Sequence, residues 1–393
     1  MGLKMPHLAA ASIALGIAAM ILLAGAFAGR LLERRYIHEL APTLFHQKNQ
    51  GMALQKVAFA QPDLLPFYGS SELVKPAANK AMDFFRTYPT GFQVFAVGKV
   101  GTTSLVTLEK LAAVGSDVRG KKVALSLSPS WFFRPSAPEA FYNGNFSLLQ
   151  AGEFVYSRHL SFGLKRDAAR RMLQYPRTLE KGVLLAFALR QLAADSPLHR
   201  AVFYAIVPLG IIQNEILRMQ DHFETLAYLL KERRHLQAGV HRSPRPVEWG
   251  SLIARAASDA SWRADVTPVP IGVEQGPEAF VATEQSAYEW IDFELLLREL
   301  DELGARPLLL SMPLAGRYFD RFGVGREFRD LYYQKVRALA RAHRLPLINF
   351  AEHDEDEGFV VGHHDHLSDK GWLYYDKALD DFFHDRLALQ PAP

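Results

Sequence analysis

Two short segments about 300 residues apart hold side chains that can do acyl-transfer chemistry together: Phe67-Tyr68-Gly69-Ser70-Ser71-Glu72-Leu73 and His363-His364-Asp365-His366. A serine hydroxyl needs a base before it becomes a nucleophile, and imidazole is the usual base near neutral pH. The first segment ends an apolar run, Leu64, Leu65, Phe67 and Tyr68, so Gly69 and both serines fall where a buried strand stops and a helix should begin. A helix N-terminus turns N–H groups and partial positive charge toward an oxyanion forming beside it. Read together, the segments predict a serine esterase or acyltransferase.

Neither motif is specific alone. Gly-Ser-Ser is ordinary turn and N-cap composition. His363, Asp365 and His366 also have the chemistry of a divalent-metal site, and a histidine-rich loop can simply be exposed. No H-E-x-x-H helix accompanies them, and Leu367 to Trp372 leads into a helix running to about Arg386 that would fix His366 against a sheet. The catalytic-base reading is therefore preferred, with no metal and no cofactor expected. Val97-Gly98-Lys99-Val100-Gly101-Thr102-Thr103-Ser104 is a second Gly-rich turn opening a helix. It is either a plain capped turn or a loop whose Gly101 N–H serves the oxyanion, and it lacks the Gly-Lys-Ser/Thr ending of a nucleotide-binding P-loop. Ser128-Pro129-Ser130-Trp131 ends a third apolar run, with Trp131 suited to walling a pocket together with Ser70, Gly98, Ser128 and His363.

The elements that must position these residues are strands. Leu64–Tyr68, Phe92–Val97, Lys122–Leu127, Pro307–Ser311 and Leu345–Phe350 are continuous apolar runs of the kind buried parallel strands show, and helical patterns such as Ser104–Val114 and Phe328–His343 separate most of them. Alternation of this kind predicts a doubly wound, five-stranded α/β sheet with the site at the strands' carboxyl ends. Between the third and fourth strands, roughly 140 to 300 reads as a helical insertion, with helices over Arg166–Leu173 and Gln213–Leu236. Ala201–Ile212, apolar and interrupted by Pro208, is too short to span a bilayer and is expected to pack inside the insertion rather than meet a membrane. Arg242–Pro270 is proline-rich and reads as a connection.

The chain of 393 residues is 49% hydrophobic, enough for a large core, and its net charge of +3 leaves no basic footprint for nucleic acid. It has no cysteine, which excludes disulfides and thiolate catalysis but fixes no compartment. Leu8–Ala28 is a 21-residue uncharged stretch that as a helix can cross the ~30 Å hydrocarbon core. Ala26-Phe27-Ala28 also has the form of a signal-peptidase site, yet the run exceeds a usual signal core, so residues 1–30 are expected to be an uncleaved anchor. Charge counting, with Lys4 before the run and Arg30, Arg34 and Arg35 after it, favours an inside C-terminal flank. Residues 31–60 then read as a polar helical connector and 61–393 as the catalytic domain.

The segments FYGSSEL, VGKVGTTS, LSPSWF and HLSDKGWLYYD, taken in order, resemble landmarks of the DltD family, the D-alanyl-lipoteichoic acid biosynthesis proteins. The resemblance covers nearly the whole chain. It implies an SGNH-hydrolase-like three-layer α/β/α sandwich behind an N-terminal transmembrane helix, with Ser71 as nucleophile, Gly101 and the Ser71 N–H as oxyanion hole, and His366 as base. It further implies a domain outside the cytoplasmic membrane that works in O-D-alanylation of a cell-envelope glycopolymer, with a membrane-bound O-acyltransferase and the D-alanyl carrier protein as partners. In the family an Asp stands three residues before the catalytic His; here that position is His363, while Asp365 directly precedes His366. Asp365, or Asp354 or Asp356, can supply the acid, or the site runs as a Ser-His dyad. The altered position also leaves open an inactive site in a scaffold or carrier-binding subunit, and the His cluster leaves open a metal-dependent hydrolase.

Overall fold

The computed structural model describes residues 6–194, 196–232, 234, 236, 243–258, 275–356, 358–361 and 366–387. β1 (Leu64–Gly69), β2 (Gln93–Gly98), β3 (Lys122–Leu127), β4 (Arg306–Ser311) and β5 (Leu347–Asn349) form one parallel sheet in the order β2-β1-β3-β4-β5. In that order the winding reverses at β1, and ligands of doubly wound sheets bind at such a reversal, beyond the carboxyl ends of the strands. Side chains alternate along β1 as the pleat requires. Leu64 and Tyr68 face one core with the helices Ser104–Val114 and Glu289–Leu303, while Leu65 and Phe67 face the other with Ala81–Thr87 and Asp369–Phe383. The result is the expected helix-sheet-helix sandwich.

Pro66 lies inside β1, an interior strand, where a residue without an N–H is disfavoured. The sheet accommodates it because β3 joins β1 only at Phe67 and Tyr68. β5 is shorter than the apolar run Leu345–Phe350 because Pro346 has no donor and pairs only through its carbonyl, with the Leu309 N–H at 3.0 Å.

Among the described residues between β3 and β4, every element longer than a turn is a helix. Leu148–Tyr156 and Glu289–Leu303 pack on Ser104–Val114, while the long helix Pro197–Glu232 lies outside them. The sequence reading ended the packed apolar segment at Ile212 and began a new helix at Gln213. Instead one helix runs through Pro208, held by Phe203 and Gly210, both buried, on either side of it. Its other face is exposed, so Ala201–Ile212 is only half packed. Trp249–Ser258 is a further difference, a helix inside the proline-rich connection. Its neighbours Pro244 and Pro246 precede it rather than interrupt it, and Trp249, Leu252, Ile253 and Ala256 cover the second core.

The N-terminal helix spans Pro6–Leu40, 35 residues, and its apolar part is long enough to cross a membrane. Its last turns are not a free connector. Ile37 and Leu40 are fully buried, and its final carbonyls have no partner within the helix. Lys48 supplies one: its Nζ donates to the Leu40, Ala41 and Thr43 carbonyls at 3.2, 2.6 and 2.9 Å and stands 4.1 Å from the centroid of the Phe95 ring on β2. Burial lowers the Lys48 pKa well below its ordinary value.

Candidate active site

Ser71 opens a single 3-10 turn, Ser71–Leu73, directly beyond β1, and is partly exposed. His366 sits on a two-residue strand, β7 (His366–Leu367), paired antiparallel with β6 (Val360–Val361). The next residue, Ser368, caps the helix Asp369–Phe383 by accepting the Gly371 N–H at 3.0 Å, which fixes the strand's exit. The two elements meet so that His366 Nε2 lies 3.0 Å from Ser71 Oγ. That is hydrogen-bond distance for a nucleophile and its base.

Ser70 is arranged differently. It is buried, its Oγ has no hydrogen-bond partner among the described residues, and it lines a cavity of about 20 Å³ with Thr102, Ser104, Ser128 and Trp131. Its N–H donates to Glu72 Oε1 at 2.8 Å. Glu72 is buried beneath the turn; burial raises its pKa, with the Ser70 and Glu72 N–H groups and the Ser126 hydroxyl opposing the rise. Ser128 reaches Ser130 Oγ at 3.2 Å rather than Ser71. Trp131 walls the same cavity and packs edge-on against Phe141, ring centroids 5.5 Å apart.

Gly98 ends β2 opposite Gly69, and a Cβ there would come within 2.3 Å of the Gly69 carbonyl, so the close approach of the two strand ends requires glycine. Its N–H donates to Asn49 Oδ1 at 2.9 Å. Gly101 has φ +87°, in the left-handed region that favours glycine, and a Cβ would strike the Phe141 ring at 2.5 Å. Asn145 Nδ2 braces this loop by donating to the Val100 and Phe141 carbonyls at 3.0 and 2.9 Å. From below, Glu289 Oε1 accepts the Ser104 N–H at 2.8 Å. Burial, reinforced by the neighbouring Asp292, raises the Glu289 pKa.

Two of the three acids proposed to orient His366 are engaged elsewhere. Asp354 accepts from Arg329 Nε at 2.9 Å and from the Tyr333 hydroxyl at 2.8 Å, deep in the core. Asp356 pairs with Lys370 and accepts the Gly358 N–H at 3.0 Å. Burial alone would raise its pKa, but Lys370 and that N–H hold it below the ordinary value. Asp365 and His363 lie outside the described residues.

Asn49, Asn145, Glu72 and Glu289 escaped sequence reasoning. Only Glu72 carried a local signal, an acid in the first turn beside Ser71. Beside that turn a groove of about 480 Å³ runs from Leu44, Phe45 and His46 past Asn49 to Leu73, Val74 and Lys99.

The model of the family described as DltD protein matches residues 41–384, from the end of the N-terminal helix to just past the C-terminal one. The chain belongs to the DltD family. Protein DltD of Bacillus subtilis (strain 168) is 27% identical, with 93% of this chain and 96% of that protein covered. Protein DltD of Staphylococcus aureus (strain NCTC 8325 / PS 47) is 22% identical over 92% and 91%, and that of Lacticaseibacillus rhamnosus is 29% identical over 41% and 38%. The DltD match takes in Ser70, Ser71, Gly98, Gly101, Ser128, Trp131 and His366, with both strand ends and the helix that fix the Ser71–His366 contact.

Proposed function

We propose that this DltD-family protein is a membrane-anchored serine acyltransferase or esterase acting in O-D-alanylation of a teichoic-acid-like cell-envelope glycopolymer. The 3.0 Å contact between Ser71 Oγ and His366 Nε2, made across 295 residues, carries the reading. His366 takes the Ser71 proton as Oγ attacks the carbonyl carbon of an activated D-alanyl ester. The N–H groups of Ser71 and Gly101 receive the oxyanion, and the Phe141 ring beside Gly101 leaves no room there for a side chain. As the tetrahedral intermediate collapses, the donor C–O bond breaks, the leaving alkoxide takes the proton from His366, and the D-alanyl group remains on Ser71. An acceptor hydroxyl then attacks the Ser71 ester as His366 takes its proton, the bond from Ser71 Oγ to the acyl carbon breaks, and Oγ recovers the proton from His366; water in place of the acceptor gives hydrolysis. Asp365 is assigned to orient His366, since Asp354 and Asp356 are engaged by Arg329 and Lys370.

In this account the N-terminal helix crosses the cytoplasmic membrane with the catalytic domain outside. The partners are a membrane-bound O-acyltransferase, the D-alanyl carrier protein on the other side, and the glycopolymer acceptor in the groove beside Leu73 and Lys99. The test is D-alanine incorporation into glycopolymer by cells carrying the wild-type chain, Ser71→Ala or His366→Ala at equal membrane abundance. Incorporation should fall to background in both variants. Undiminished incorporation by Ser71→Ala would leave the chain a scaffold.

A further inference from the structure

The long helix Pro197–Glu232 has two unlike faces. Inward, Gly210 receives the Tyr156 ring and Asn214 lies against Gly152, so this side belongs to the folded domain. Outward, Leu209, Ile212 and Ile216 are 57%, 59% and 56% exposed. No Asp, Glu, Lys or Arg occurs between Arg200 and Glu215. At ~100° per residue, Ala205, Leu209, Ile212, Ile216 and Phe223 fall within about 40° of one direction, so the exposed stripe continues into Phe223.

Phe223 and His222 are where the N-terminal helix crosses. A Cβ on Gly25 would lie 2.1 Å from the Phe223 ring, and one on Gly29 2.8 Å from the His222 carbonyl oxygen. The pair Gly25 and Gly29 has the small-xxx-small spacing that lets helices approach closely, and here the helix it admits is in the same chain. Polar contacts lock the crossing: Arg30 Nε donates to His222 Nε2 at 3.1 Å, and His222 Nδ1 is 2.7 Å from Glu33 Oε1. The crossing stands where the uncharged run Leu8–Ala28 gives way to Arg30, the level at which a membrane span meets the headgroups.

We infer that the stripe Ala205, Leu209, Ile212 and Ile216 is a second membrane contact, lying in the interfacial layer of the bilayer that the N-terminal helix crosses. The inference rests on the reading of that helix as a span. The occupant is lipid because the stripe leads directly to the point where the span emerges, and whatever covers it shares the span's surroundings. The helix lies on the membrane rather than crossing it, since its inward face, with Asn214, is packed on the domain. The catalytic domain is thus held at two places and cannot swivel freely on one tether.

The chain has no cysteine, so single cysteines accept one label each. Full-length protein carrying an environment-sensitive fluorophore at Ile212→Cys, Ile216→Cys, Ile17→Cys in the N-terminal helix or Lys377→Cys on the C-terminal helix is reconstituted into phosphatidylcholine/phosphatidylglycerol vesicles without any other protein. Labels at 212 and 216 should be quenched several-fold by nitroxide-bearing lipids and shielded from aqueous iodide, as at 17, with the reverse at 377. Lipid quenching at 17 with iodide access at 212 and 216 overturns the inference alone, including the case in which another protein covers the stripe. Iodide access at 17 overturns the span reading and the inference with it.

Discussion

The Glu289 carboxylate accepts the Ser104 N–H at 2.8 Å and so ties the last helix of the insertion to the loop after β2. Ser104 is the first residue of its helix, where an N–H has no partner within the helix. Glu289→Ala leaves that buried donor unpaired and should cost ~1–3 kcal/mol of stability. It should also lower turnover, since Gly101 lies three residues upstream. Glu289→Gln keeps an acceptor and should behave much more like wild type. Denaturation and acyl-transfer assays on the two variants check this, and equal behaviour would remove the link.

Lys48 is the corresponding tie at the end of the N-terminal helix. Lys48→Met removes the ammonium from the Phe95 ring and from three carbonyls, of which Leu40 and Ala41 keep the Thr43 and Ala96 N–H groups as donors. A loss of ~2–3 kcal/mol is expected in thermal or chemical unfolding of the detergent-solubilised chain.

Glu109 gives the fold a pH dependence. Burial raises its pKa from 4.5 to about 8, against the lowering effects of the Tyr142 hydroxyl bonded to it at 2.6 Å and of Lys110. A raised folded-state value means its contribution to stability is complete below about pH 4.5 and is lost as pH rises through about 8. Between pH 5 and 8 the wild type should lose on the order of a few kcal/mol more than Glu109→Gln. Superimposable stability profiles would contradict the assignment.

The orienting acid can be located by comparing two amides. Asp356→Asn disturbs the contact with Lys370 and should leave most of the turnover intact. Asp365→Asn should lower it by ~10² to 10⁴ with the fold intact, because an amide cannot stabilise the imidazolium. If His363→Asp restores activity to Asp365→Asn, the loop can present an acid from either position. The reverse ranking of the two amides would reassign the role to Asp356.

The strands were legible in sequence because buried parallel strands are unbroken apolar runs. Ser71 and His366 were legible because strand ends and helix starts leave local marks. What brings them together, the antiparallel pairing of Val361 with His366, leaves none. Buried polar braces such as Lys48, Asn49 and Asn145 are likewise invisible, since each acts on a backbone group apart from it in sequence that only the fold brings within reach. Pro208 misled for another reason: it costs the helix one bond, which tertiary packing at Phe203 and Gly210 outweighs.

The central claim is that Ser71 and not Ser70 is the nucleophile. It is tested most directly by peptide mass spectrometry of the full-length protein after reaction with a fluorophosphonate, for wild type, Ser70→Ala and Ser71→Ala. The account predicts an adduct on Ser71 in wild type, its persistence in Ser70→Ala, whose hydroxyl lines a buried cavity, and its absence from Ser71→Ala. An adduct that survives Ser71→Ala, or one lost only in Ser70→Ala, would contradict it.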